Sequence, residues 1–83
     1  MYVIEFTSTA LRQFRKLPLW IQKRIQPHID ILAENPRPPG VKKLRGTPYS
    51  YRLGVGAYRV KYVIDDDQGI VTVVEVVHRR DAY

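Results

Sequence analysis

The sequence predicts an α+β domain in which a two-helix hairpin packs on an antiparallel sheet, and three patterns support this fold class. Residues 2–6 alternate like a short strand. Two segments with apolar residues at helical spacing follow, and the last third of the chain alternates again between glycine-containing turns. Helical and strand periodicities in separate parts of one chain are typical of helices layered on an antiparallel sheet.

The first predicted helix directly follows the opening strand. Thr7 or Ser8 is suited to cap it by accepting a backbone hydrogen bond. Apolar residues then recur at helical spacing: Ala10, Leu11, Phe14 and Leu17. The opposite side is basic, with Arg12, Arg15 and Lys16. We therefore expect an amphipathic helix with its apolar side on the sheet.

The second predicted helix begins near Pro18, which suits a first helical turn. Its apolar stripe consists of Ile21, Ile25, Ile29 and Leu32. Pro27 lies within this stripe and is expected to kink the helix, because proline lacks a backbone donor. The helix should end by Asn35, and residues 35–40 are expected to form a stiff, extended connection because three of them are prolines.

A hairpin begins the predicted three-stranded meander. Gly56 and Ala57, with glycine first, match a two-residue type II′ loop between residues 51–55 and 58–64. The turn sets the register, and the expected cross-strand pairs are Val55–Tyr58, Gly54–Arg59 and Arg52–Lys61.

The third strand is predicted over residues 70–77. Pairing Ile64 with Ile70 places Arg59 opposite Glu75 and leaves Arg79 further along the same face. The other face is mostly apolar and should form the core: Tyr58, Val60, Tyr62, Ile64, Ile70, Thr72, Val74 and Val76. Some apolar residues are expected beside the charges: Val63, Val71, Val73 and Val77.

Composition narrows the possible functions. With 83 residues, the chain has room for a single domain, residues 1–83, with a modest core. A net charge of +6 favours a polyanion or an acidic protein as partner. The absence of cysteine excludes thiolate metal sites, and we expect neither a metal nor a cofactor. Without an apolar run of ~20 residues or a signal-like N-terminus, a cytoplasmic protein that does not bind membranes is expected.

A cationic face is the main functional signal of the predicted hairpin. Alternation places Arg52, Arg59 and Lys61 on one side, and like charges directly opposite each other destabilise a sheet. A bound anion would explain Arg52 across from Lys61, whereas a solvated face with splayed charges is the alternative. The candidates for gripping a long phosphate backbone are Lys61, Lys43, Arg45, Arg12, Arg15, Lys16, Lys23 and Arg24.

Several short motifs together indicate a family. They are Leu44-Arg45-Gly46, Tyr51-Arg52-Leu53, Tyr58-Arg59-Val60-Lys61-Tyr62 and Val77-His78-Arg79-Arg80-Asp81-Ala82-Tyr83. Their order and spacing resemble the RelE/ParE superfamily of bacterial and archaeal toxins over essentially the whole chain. The resemblance implies a βααβββ, RelE-like (microbial ribonuclease-like) toxin fold and an acidic RelB-like antitoxin. For the RelE branch it also implies cleavage of messenger RNA in the ribosomal A site.

The resemblance also implies roles for individual residues. Arg59 falls on the family's central phosphate-contacting arginine and Arg79 on its late-strand arginine. Tyr83 falls on a tyrosine that stacks on a base or assists acid/base chemistry. Arg52 stands where the best-studied members have a lysine, and Gly54 stands where they have another, so one expected cation is missing.

Metal-free RNA cleavage needs a base for the 2′-hydroxyl, stabilisation of the phosphate charge and a proton for the 5′-oxygen. Guanidinium groups suit the second task because they match phosphate oxygens and stay charged. Candidates for the base are His78, Lys61 and Glu75. We favour His78, which requires the strand to end or bulge there. The alternatives are a core-capping role for His78, a salt bridge from Glu75 to Arg59, and a frayed, uninvolved Tyr83.

The expected function is therefore a ribosome-dependent mRNA endoribonuclease that inhibits translation. The alternative is a ParE-type inhibitor of DNA gyrase without RNA chemistry, which Gly54 and the lack of an obvious base keep open. A basic module that binds RNA and leaves it intact is a third possibility.

Overall fold

The computed structural model describes residues 1–82, which form two α-helices and one five-stranded sheet. The elements are β1 (Val3–Phe6), α1 (Ser8–Arg15), α2 (Leu19–Ile31), β2 (Lys42–Lys43), β3 (Ser50–Val55), β4 (Tyr58–Asp65) and β5 (Ile70–His78), followed by a 3₁₀ turn at Arg79–Asp81. The strand order is β1-β5-β4-β3-β2. No helix within residues 1–82 is long and apolar enough to span a membrane.

The α+β class and the antiparallel meander β3-β4-β5 are confirmed. Strand β1, however, pairs in parallel with β5. The sheet is therefore mixed and not antiparallel throughout. A parallel edge is physically reasonable here, because the helices after β1 carry the chain back across the sheet before β5 begins.

Both helices begin where the sequence predicts. The Thr7 hydroxyl accepts a hydrogen bond from the Ala10 N–H at 3.1 Å and caps α1. Helix α2 starts directly after Pro18 and runs through Pro27 to Ile31. Its apolar stripe is buried as predicted, at Ile21, Ile25, Ile29 and Leu32.

The helices cover one face of the sheet. The sheet residues buried there are Leu53, Val55, Val60, Tyr62, Ile64, Val71, Val73 and Val76. Burial of an aliphatic side chain of this size contributes about 1.5–3 kcal/mol. The opposite face, here called the open face, carries Lys42, Arg52, Gly54, Arg59, Lys61, Glu75 and Val77 at its cationic end.

The register of β4 and β5 differs from the prediction by one residue. Ile70 pairs with Asp65 and not with Ile64, because the turn between the strands is one residue shorter than expected. A slip of one residue exchanges the two faces of a strand. Val71 and Val73 are therefore fully buried, although the sequence pattern predicted them beside the charges. Outside the buried core lie three residues that were predicted within it: Ile70, Thr72 and Val74.

A bulge then reverses this exchange. Lys61 pairs with Glu75 and Tyr62 pairs with Val73, so Val74 has no partner on β4. An extra residue in one strand interrupts its alternation. The end of β5 consequently returns to the predicted faces, but its residues oppose different partners on β4.

Candidate nucleic-acid interface

The hairpin that carries the cations has the predicted register. Arg52 pairs with Lys61, and Gly54 pairs with Arg59. Gly56 has a φ of +57°, a value that favours glycine in the first position of the turn. The predicted juxtaposition of cations on one sheet face is therefore confirmed as geometry.

Four charged residues form a row across the open face. Lys42 pairs with Arg52, Arg52 with Lys61, and Lys61 with Glu75. Directly opposite residues in antiparallel strands have their Cα atoms ~4.5–5.5 Å apart, so these side chains are close neighbours. The sequence placed Lys42 only among the basic residues before the hairpin that could grip a phosphate backbone. It did not place Lys42 on the open face, because a strand of two residues shows no alternation.

Glu75 is the acidic residue of this row and lies at its end on β5. The predicted opposition of Glu75 to Arg59 is wrong: Glu75 lies opposite Lys61, and Val77 lies opposite Arg59. An ion pair with atoms closer than 4.0 Å joins Arg37 to Asp66, at the other end of β4. The suggested salt bridge from Glu75 to Arg59 is therefore absent from the described residues.

The Arg59 guanidinium lies against the end of the hairpin. Its Nη1 atom donates to the carbonyl oxygens of Gly56 and Tyr58, both at 2.9 Å. A Cβ atom at Gly54 would lie 3.2 Å from the same nitrogen, which is closer than ordinary contact. Gly54, which the turn register predicted as the cross-strand partner of Arg59, therefore provides the space in which the guanidinium rests.

His78 lies on the other side of the sheet. It pairs with Tyr58, on the helix-facing side, and the two rings meet edge to face with centroids 5.4 Å apart. Its Nδ1 atom accepts a hydrogen bond from the Arg80 N–H at 3.3 Å. Strand β5 ends at His78, as the proposed role requires, but the imidazole does not share the face of Arg59. Its catalytic role stays a prediction.

Two further arginines reach the hairpin turn. Arg79 begins the 3₁₀ turn, so it is not part of the strand as predicted, and its N–H donates to the Ala57 carbonyl at 2.7 Å. Arg24 extends from α2 over Gly56, where a Cβ atom would lie 3.1 Å from its Nη2 atom. The sequence marked Arg24 only as one cation of a basic helix, because its proximity to the turn depends on tertiary packing.

The remaining predicted cations lie on the helices and near the sheet edge. All of them are exposed: Arg12, Arg15, Lys16, Lys23, Lys43 and Arg45. Lys43 pairs with Tyr51 and so is directed away from the open face. Tyr83 lies outside the described residues. Within residues 1–82 no three side chains of the metal-ligating types cluster closely enough to hold a metal ion.

Shifted pKa values occur where the segment after α2 contacts other parts of the fold. Hydrogen bonds from Arg37 and from the Tyr2 hydroxyl lower the pKa of Asp66, and the same contacts raise the pKa of Arg37 and of Tyr2. Burial raises the pKa of Tyr62 to about 12, and its hydroxyl donates to the Pro36 carbonyl at 2.7 Å. These contacts join the segment after α2 to β1 and to the turn between β4 and β5, so we assign them to stability.

Comparison with known proteins places this geometry in a family context. Residues 4–83 match the family model for the ParE toxin of type II toxin–antitoxin systems, parDE. The toxin RelG of Mycobacterium tuberculosis is 32% identical over 83 residues, which cover 99% of this chain and 95% of RelG. The mRNA interferase toxin RelE of Escherichia coli K12 is 31% identical over 77 residues, covering 90% of this chain and 80% of RelE. A chain of the intact E. coli RelBE toxin–antitoxin complex superposes with a TM-score of 0.85 at 29% identity, covering 94% of this chain and 96% of that one.

Proposed function

The chain belongs to the RelE/ParE superfamily of toxins from type II toxin–antitoxin systems, and from this membership we propose that it is an mRNA interferase of the RelE type. In this proposal it is a metal-independent endoribonuclease that cuts messenger RNA in the ribosomal A site and thereby inhibits translation. The observation that supports this proposal most directly is the row of charged residues on the open face, with Arg59 beside it. The row consists of Lys42, Arg52, Lys61 and Glu75. The residues 1–83 would form the single toxin domain.

The arginines are proposed to stabilise the reacting phosphate. Arg59 projects on the open face at the end of the hairpin, and Arg52 is in the neighbouring row. Arg79 is held beside the same turn through its backbone. Guanidinium forks match phosphate oxygens and stay charged, so they can stabilise the negative charge that develops during attack.

The proton transfers are proposed to involve Glu75 and Lys61, which are paired on the open face. A carboxylate group can accept a proton and an ammonium group can donate one. Glu75 would take the proton of the 2′-hydroxyl as its oxygen bonds to phosphorus. Lys61 would give a proton to the 5′-oxygen as the phosphorus–oxygen bond breaks, leaving a 2′,3′-cyclic phosphate and a 5′-hydroxyl. His78 is the competing candidate for the base, and Tyr83 the candidate for stacking on a base.

The ribosome would supply much of the orientation. Exposed cations on the helices, among them Arg15 and Lys23, are proposed to hold ribosomal RNA through its phosphates. Alignment of the 2′-hydroxyl with the phosphate by the decoding site would provide several kcal/mol of barrier reduction. Naked messenger RNA should then be a poor substrate.

The partner that restrains the toxin is proposed to be an acidic, RelB-like antitoxin. The E. coli relative forms a RelBE toxin–antitoxin complex with the same fold. A net charge of +6 gives this chain the complementary electrostatics for an acidic segment that folds on its surface. The toxin would act in the cytoplasm, where ribosomes translate.

The decisive experiment is primer extension on a translated message. Wild-type protein should produce cuts on ribosomes and none on naked message, and Arg59→Ala should abolish the cuts without changing the melting temperature. Equal cutting by Arg59→Ala would contradict the proposed site. An intact message in cells that are nevertheless poisoned would favour the ParE-type gyrase inhibitor; the matching family model is that of the ParE toxin.

Two glutamine variants, one at each position, distinguish between Glu75 and His78 as the general base. Glu75→Gln should slow single-turnover cleavage on ribosomes by roughly 10²–10⁴-fold if Glu75 is the base. His78→Gln should then have little effect. The reverse ranking would assign the base to His78 and would require its ring to leave Tyr58.

A further inference from the structure

Two glycines at the end of the hairpin each lie beneath a guanidinium group. Gly54 on β3 lies beneath Arg59, with 3.2 Å from its Cβ position to Nη1. Gly56 in the turn lies beneath Arg24, with 3.1 Å to Nη2 and 3.2 Å to Cζ. Arg59 comes from the sheet and Arg24 from helix α2, so cations from both layers converge on one turn.

The Arg24 side chain has no evident structural partner. Arg59 donates two hydrogen bonds to backbone carbonyls. Arg24 is exposed, and within residues 1–82 it makes neither a side-chain hydrogen bond nor an ion pair. The Cβ position of Gly56 that Arg24 approaches holds no atom, so this approach provides the guanidinium with no hydrogen-bond acceptor. Its donors remain available to a ligand.

The spacing of the two groups fits consecutive groups of a polyanion. Arg59 Nη1 lies 2.9 Å from the Gly56 carbonyl oxygen, and Arg24 Nη2 lies 3.1 Å from the Cβ position of the same glycine, so both guanidinium groups approach one residue of the turn. A single-stranded phosphodiester backbone presents its charges at intervals of a few ångströms. A strand held by Arg59 could therefore pass over the turn and meet Arg24 at an adjacent phosphate.

We propose that Arg24 is a substrate-contacting residue, which binds an RNA phosphate next to the one held by Arg59 and is functionally separate from the other basic residues of the helices. This inference rests on the proposed function, since it concerns the path of the same substrate. It extends the site from the open face around the turn to helix α2.

Arg80 provides the matched control, because it is exposed like Arg24, is the same residue type and has no role in the proposed site or in the proposed ribosome contact. Arg24→Ala should reduce the single-turnover cleavage rate on saturating ribosomes by roughly tenfold and leave ribosome binding unchanged. Arg80→Ala should leave the cleavage rate unchanged. Equal effects of the two substitutions on cleavage would overturn the proposal, and melting temperatures verify that both variants are folded.

A binding experiment keeps the proposal testable even if the wild-type protein does not cleave. The probe is a short single-stranded RNA with 2′-O-methyl riboses, which cannot undergo 2′-hydroxyl attack. Each lost phosphate contact reduces the slope of log affinity against log salt by ~0.7 for a single strand. Arg24→Ala and Arg59→Ala should each show this reduction, and Arg80→Ala should not.

The two experiments distinguish the two hypotheses. If the wild-type protein does not cleave but the salt slopes change as expected, the interferase proposal is refuted. The proposed path of phosphates from Arg59 to Arg24 is then supported. Cleavage with an unchanged salt slope in Arg24→Ala would support the interferase and overturn the path.

Discussion

Removal of one buried hydroxyl should measurably weaken the fold. Tyr62 is fully buried in the centre of the sheet, and its hydroxyl donates to the Pro36 carbonyl at 2.7 Å. Pro36 is itself buried. Tyr62→Phe keeps the ring but deletes the donor, so the carbonyl remains in the core without this partner.

The expected cost follows from these contacts. A net hydrogen bond contributes about 0.5–1.5 kcal/mol, and a buried group left unsatisfied costs about 1–3 kcal/mol. We therefore expect the free energy of unfolding to fall by about 2 kcal/mol. For a domain of this size, each kcal/mol shifts the melting temperature by roughly 4–8 °C, which predicts a loss of roughly 10 °C.

Tyr51 supplies the control for the same chemical change. Its ring stacks on Tyr62 with centroids 5.9 Å apart, but its hydroxyl accepts from Arg37 Nε at 3.1 Å in an exposed position. Tyr51→Phe should therefore cost less than about 0.5 kcal/mol. Urea unfolding of both variants measures the difference. Free energies of unfolding that agree within 0.5 kcal/mol would refute the argument that the buried Pro36 carbonyl depends on Tyr62.

Three further predictions concern pH and the site. Burial raises the pKa of Tyr62 from 10.0 to about 12, so the stability linked to its protonated form is complete below pH 10 and lost between pH 10 and 12. The stability of Tyr62→Phe should decline less over this range, and parallel melting curves would contradict the linkage. Hydrogen bonds from Arg37 lower the pKa of Asp66 from its ordinary value of 3.8. The wild type should therefore be more stable than Asp66→Asn at neutral pH, and this difference should disappear as the pH falls below 3.8. A difference that does not depend on pH would exclude this ion pair as its source. Gly54→Ala should displace the Arg59 guanidinium and lower single-turnover cleavage several-fold without unfolding the protein, because its Cβ would lie 3.2 Å from Nη1; unchanged cleavage would show that this position of the guanidinium is not needed.

Local chemistry made much of the fold predictable. The Thr7 cap, the stripe of α2 and the two-residue turn at Gly56 each depend on residues close in sequence, and the structure confirms all three. The same turn set the register of Arg52 against Lys61, so the cationic face of the hairpin could be derived without a structure.

The longer-range pairings could not be derived in this way. The turn before β5 is one residue shorter than expected and a bulge follows within β5, and together they changed the partner of Glu75 from Arg59 to Lys61. The bulge at Val74 then exchanged the two faces of β5 again, and no local sequence pattern predicts such an extra residue. The parallel pairing of β1 likewise depends on the path of both helices across the sheet.

The candidate site shows the same division. The sequence by itself determined that Arg52, Lys61 and Arg59 share a face, because alternation and turn chemistry are properties of adjacent residues. The tertiary structure alone decided that Arg24 reaches the turn and that His78 lies on the helix side. These positions depend on how the layers pack and where each strand ends, and packing brings together residues whose spacing in sequence contains no signal of their contact.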